Sequence, residues 1–80
     1  MERELAIHRV YRHFKGNLYI VEGEAIDSEK GEELVLYRAL YGEGTLYARP
    51  KEMFMSRVDT DKYPDVEQKY RFELVKEGNK

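Results

Sequence analysis

The chain has 80 residues, which fits one domain spanning 1–80 with a small core, since a chain of this size buries only about 60% of its unfolded surface. Cysteine is absent, so a disulfide framework, a thiolate zinc site and thiol chemistry are all excluded. Residues 1–20 carry four basic and two acidic side chains, 21–44 two and seven, 45–58 three and one, and 59–80 five and six. That patchwork offers a long polyanion no continuous basic strip, and duplex DNA is not an expected partner. Apolar runs such as Leu34-Val35-Leu36 fall far short of the ~20 residues that cross a bilayer. Met1-Glu2-Arg3-Glu4 lacks the basic start and apolar core of a signal peptide, so a cytoplasmic location away from membranes is expected.

Seven tyrosines and three phenylalanines, set among Val and Ile in short runs between glycine-containing turns, favour strands. Val10 to Phe14 is the first expected strand, with Leu5-Ala6-Ile7 beginning it early, and Lys15-Gly16-Asn17 turns it. From Leu18 to Asp27, period-two alternation places Tyr19, Val21, Gly23 and Ala25 on one face and Glu22 and Glu24 on the other. Ser28-Glu29-Lys30-Gly31 reads as a hairpin loop with glycine at the left-handed position, and Glu33 to Leu40 returns with Val35, Tyr37 and Ala39 opposing the earlier apolar face. A second turn at Gly42-Glu43-Gly44 leads into a strand from Thr45 to Arg49. Pro50 suits the start of a helical turn over 50–54 that tucks Met53 and Phe54 inward, and Ser56 to Val58 is expected to close the barrel. A polar connection follows, then a last strand from Tyr70 to Val75; Glu77-Gly78-Asn79-Lys80 and the first few residues are expected to fray. The fold class is mainly β: a small SH3-like antiparallel β-barrel with one short helical turn before the closing strand.

Three blocks carry a resemblance: Tyr11-Arg12-His13-Phe14-Lys15-Gly16, then Tyr37-Arg38-Ala39-Leu40-Tyr41-Gly42, then Arg49-Pro50 with Met53-Phe54. In this order they resemble the bacterial domain-of-unknown-function family 1653, over residues 11–58. The resemblance implies an SH3-like architecture and brings no substrate, cofactor or catalytic residue with it. Tyr47 stands where that family usually has tryptophan, and Asp27 where histidine is common.

The candidate site residues are Tyr11, His13, Arg38, Tyr41, Tyr47 and Arg49. Tyr47 and Arg49 lie two apart on one strand, so a ring and a guanidinium share a face and suit a nucleobase, a carboxylate or a peptide. Against this, Tyr47 packs at a rim and Arg49 bonds backbone carbonyls near Pro50. Arg38 either meets an anion or pairs with an acidic residue such as Glu52. Tyr11 and His13, continued by Lys15, form an aromatic and basic alternation suited to single-stranded nucleic acid or phosphate, or else Tyr11 and Phe14 belong to the core. Tyr37 and Tyr41 share a face where their hydroxyls line a cleft or cap one end of the barrel.

Metal chelation is not expected, because His8 and His13 fall on opposite faces of a strand, and the acidic cluster Asp27, Glu29, Glu32 and Glu33 lacks calcium-loop spacing. Neither Ser28 nor Ser56 stands at a strand-to-helix nucleophile elbow, so no enzyme and no cofactor are expected; an acid–base site centred on His13 ranks third. The expected function is a non-enzymatic binding module for a small anionic or planar group on a nucleotide, RNA or peptide. The alternative is assembly, as a homodimer or with a protein partner, through an uncovered edge strand or a patch of Tyr70, Phe72 and Leu74.

Overall fold

The computed structural model describes residues 3–76; the fraying expected at 77–80 lies outside them, and of the first few residues also expected to fray, Arg3 is described and is tied to the Phe72 and Met55 carbonyls. Five strands and one helical turn follow in order: β1 (Val10–His13), β2 (Leu18–Ile26), β3 (Glu33–Ala39), β4 (Leu46–Pro50), α1 (Lys51–Phe54) and β5 (Phe72–Leu74). All pairings are antiparallel, and the sheet runs β4-β3-β2-β1-β5. It is open. Residues 56–58 do not form the closing strand expected of them; Arg57 makes one isolated bridge with Tyr70, and β4 and β5 remain the two edges.

Local chemistry sets the turns. Between β1 and β2, Gly16 takes φ 109° and donates to the His13 carbonyl at 2.7 Å, a conformation that side-chain-bearing residues rarely adopt. Between β2 and β3, Asp27 Oδ1 accepts from the N–H groups of Glu29 (2.9 Å) and Lys30 (3.2 Å). These bonds hold its carboxyl below the ordinary range. At the start of the chain, Leu5 and Ala6 pack against the core without joining a strand. His8, at φ 64°, turns the backbone there, and β1 begins only at Val10.

One face of the sheet holds the core. Tyr11, Val21, Val35 and Tyr37 meet Phe54 of α1 and Phe72 of β5, and the Phe54 and Phe72 rings lie nearly parallel with centroids 4.1 Å apart. Burying each such side chain contributes about 1.5–3 kcal/mol. Of the two residues expected to turn inward from the helical turn, only Phe54 does so, while Met53 is exposed. A single turn separates successive side chains by about 100°, so adjacent positions do not share a face.

Register assigns the remaining side chains. Tyr11 faces Tyr19, Tyr19 faces Ala39, Val21 faces Tyr37, Tyr37 faces Tyr47 and Val35 faces Arg49, so all of these share the core face. A bulge between Val21 and Gly23 then shifts the phase of β2. Beyond it Glu24 pairs with Val35, while Gly23 and Ala25 pair with Leu36 and Leu34 on the opposite face. Strict alternation therefore fails past Val21, because the extra residue reverses every later side chain. Glu24 on its new face lies 3.6 Å from Lys51 Nζ.

The segment between α1 and β5 is tied down by polar contacts. Gln68 Nε2 donates to the carbonyls of Arg12 and Tyr70, both at 2.9 Å. Arg3 donates to the carbonyls of Phe72 (3.0 Å) and Met55 (3.1 Å) while its guanidinium stacks 3.8 Å above the Tyr70 ring.

Candidate functional site

Beyond the buried core, the same face continues into an aromatic platform centred on Tyr19. Its ring is surrounded by Tyr37 at 5.3 Å, Tyr41 and Phe72 at 5.7 Å, Tyr47 at 6.3 Å and His13 at 6.5 Å, all crossing it at 65–82°. Such edge-to-face packing sets the positive edge of one ring against the negative face of the next. The Tyr19 and Tyr41 hydroxyls are 2.9 Å apart. Burial, reinforced by this bond, pushes the Tyr19 hydroxyl up to about 12, so it stays protonated at neutral pH. Tyr47 stacks on Tyr37 at 5.6 Å and 29° yet remains 41% exposed, leaving ring surface open to solvent.

Positive charge borders the platform. Arg49 on β4 donates from Nε to the Tyr37 hydroxyl at 3.0 Å, and Arg71, just before β5, donates from Nε to Ser56 Oγ at 3.3 Å. Their terminal amino groups have no acceptor among the described residues, and neither guanidinium pairs with a carboxylate there. His13 completes the cluster. Its Nδ1 accepts from the Lys15 N–H at 3.1 Å, which places the proton of the neutral ring on Nε2. Burial, aided by the charges of Arg49, Arg71 and Lys15, lowers its pKa from 6.5 to about 4. The ring is therefore neutral at pH 7 and sits where the field of three cations converges, a setting that favours an incoming anion.

The structure brings together four of the six residues singled out from sequence: His13, Tyr41, Tyr47 and Arg49. Tyr11 instead belongs to the core at 2% exposure, and its hydroxyl accepts from the Ala6 N–H at 2.9 Å. Arg38 lies on the opposite face, where it donates to Glu22 Oε2 at 3.0 Å and to the Gly44 carbonyl at 2.9 Å; its partner is Glu22, not Glu52. Phe72, expected in a surface patch, is 1% exposed. Sequence reasoning missed Tyr19 and Arg71 as site residues. Alternation with Val21 places Tyr19 on the inner face, but nothing near Arg71 announces that β5 pairs with β1, which sets Phe72 opposite His13. Two surface depressions, of about 240 Å³ beside His8 and Val75 and about 280 Å³ beside Glu33 and Lys51, lie away from the platform.

No helix among the described residues is long and apolar enough to cross a membrane. Comparison with curated proteins gave no match. Among solved structures, a crystal structure of a DUF1653 protein from Bordetella bronchiseptica is similar to this chain, with a TM-score of 0.73, 28% identity and 94% of each chain covered. The family described as "Protein of unknown function (DUF1653)" matches residues 9–74. With most of its length matched, the basic and aromatic platform included, the chain belongs to the DUF1653 family.

Proposed function

We propose that this domain is a non-enzymatic binding module, and that its platform takes an anionic or planar group such as a nucleotide, RNA or peptide presents. The observation that carries this reading is the state of the two arginines. Each guanidinium is held through Nε by a hydroxyl, and each keeps its terminal amino groups unengaged. Two other cations, by contrast, meet carboxylates: Arg38 meets Glu22 at 3.0 Å, and Lys51 meets Glu24 at 3.6 Å and Glu33 at 3.9 Å. Pre-oriented guanidiniums without carboxylates suit an anion, because little ordering remains to be done when it arrives. The Nε2–H of His13 adds a donor, and the open surfaces of Tyr47 and Tyr41 offer stacking to a planar group. An SH3-like curl of the meander belongs to the same proposal, supported by the helical turn that precedes the last strand.

The test is a two-dimensional NMR titration of the full chain with inorganic phosphate, dicarboxylates, pooled mononucleotides, short single-stranded RNA and peptides. Saturable shifts centred on His13, Tyr47, Arg49 and Arg71 are expected, and their loss in Arg49→Ala with the fold retained. An unfolded Arg49→Ala variant, together with a wild type that ignores every probe, would assign Arg49 to structure alone.

A further inference from the structure

The two edges of the sheet are finished differently. At β5 the backbone groups of Phe72 point away from β1, and Arg3 caps the Phe72 carbonyl at 3.0 Å. At β4, Ala39 N–H donates to the Thr45 carbonyl at 2.9 Å, which fixes the phase of the β3–β4 ladder. Hydrogen-bonded pairs alternate along an antiparallel ladder, so Thr45, Tyr47 and Arg49 turn their backbone groups towards β3. Leu46 and Ala48 turn theirs to the open edge. Leu46, Tyr47 and Ala48 are all exposed and uncharged, and no bulge or interior proline blunts this stretch. An unblunted edge of this kind templates strand addition.

We infer that the β4 edge accepts an extended acidic peptide as an added strand, its backbone bonding Leu46 and Ala48 and its carboxylate meeting the free amino groups of Arg49. This deepens the binding reading above and rests on it. The ladder determines which peptide residues matter. A residue opposite Arg49 projects to the platform face, with directly paired Cβ atoms about 4.5–5.5 Å apart, so a Glu or Asp there reaches the guanidinium. Two positions along, opposite Tyr47, a planar side chain meets the tyrosine. Residues between them project to the other face beside Leu46 and Ala48, where apolar side chains fit. Charge complementarity selects the peptide over a second copy of this chain. Self-pairing along β4, which carries Arg49 and no acidic residue, would bring a second Arg49 and no carboxylate. A nucleotide would satisfy the arginines but leave the backbone groups of Leu46 and Ala48 unused.

Two pools of heptapeptides, random except for a central Glu in one and Gln in the other, are titrated into the full chain beside inorganic phosphate, with Ala48→Pro as the variant. Proline at that position removes an N–H that faces outward, which edge strands tolerate, so the β3 ladder persists. The Glu pool is expected to shift the Leu46 and Ala48 amides and to bind about tenfold more tightly than the Gln pool. Ala48→Pro is expected to lose the peptide and keep phosphate shifts at His13 and Arg49. Equal binding of the two pools, or undiminished peptide binding by Ala48→Pro, overturns strand addition and leaves the anion site standing. Shifts with phosphate or mononucleotides but none with either pool do the same. Dimer-like tumbling without ligand, abolished by Ala48→Pro, assigns the edge to a second copy. Silence towards phosphate and peptides together removes the anion site and the added strand alike.

Discussion

Arg49 donates from Nε to the hydroxyl of Tyr37 at 3.0 Å, so a nearly buried tyrosine fixes the direction of a half-buried guanidinium. Tyr37 reaches that hydroxyl from the core, where its ring also touches Phe54 and Phe72 at 5.3 Å. The stability of the domain and the direction of the guanidinium proposed to bind thus share one side chain.

Tyr37→Phe keeps the ring and deletes this anchor. A loss of about 0.5–1.5 kcal/mol in unfolding free energy is expected by urea denaturation, as for one net hydrogen bond. Phosphate affinity should fall several-fold as the guanidinium gains freedom, with residual binding retained through Arg71. Unchanged affinity would show that Arg49 needs no anchor.

The protonation of His13 makes stability depend on pH. Folded His13 titrates near 4 against 6.5 ordinarily, so between these values the unfolded chain holds the extra proton and stability rises with pH. Its contribution is complete above pH 6.5 and is lost as the pH falls through 4. His13→Gln should flatten this part of the urea-midpoint profile, the difference between variant and wild type isolating it from carboxylate titration. Bound phosphate should raise the His13 pKa, read from its ring protons by NMR, because an anion offsets the neighbouring cations.

Phe54 is wholly buried and stacks on Phe72 at 4.1 Å. Phe54→Ala is expected to cost about 3–5 kcal/mol, through lost transfer energy and the cavity left behind. For a domain this small that is a large share of the whole stability, and a marked drop in the thermal midpoint by calorimetry is expected.

Arg38→Ala serves as the contrasting case. Its ion pair with Glu22 is largely exposed, at 44% and 37%, and should contribute no more than about 1 kcal/mol. Phosphate titration of this variant should match wild type, since Arg38 lies on the other face of the sheet. A weakened response would connect the two faces in a way the register does not suggest.

The sequence by itself determined the five strands that form and their turns, but also promised a closing strand over 56–58 that reduces to one bridge. Local rules suffice there: period two along β1, β3 and β4, aromatic and branched side chains within them, glycines at the turns and Pro50 before α1. It also placed Tyr47 and Arg49 on one face, because two residues apart on a strand always share one. The tertiary structure decided what those residues face. The bulge after Val21 moves Glu24 to the face of Val35, and an inserted residue leaves no period to read. The β1–β5 pairing sets Phe72, distant in sequence, beside His13, with Arg71 next to it, and buries Phe72 where a surface patch was expected. Tyr11 and Arg38 have compositions as suited to a site as their neighbours, but packing claims the first and Glu22 the second. Which arginines meet a carboxylate, as Arg38 does, and which meet only a hydroxyl, as Arg49 and Arg71 do, depends on distances that exist only once the chain has folded.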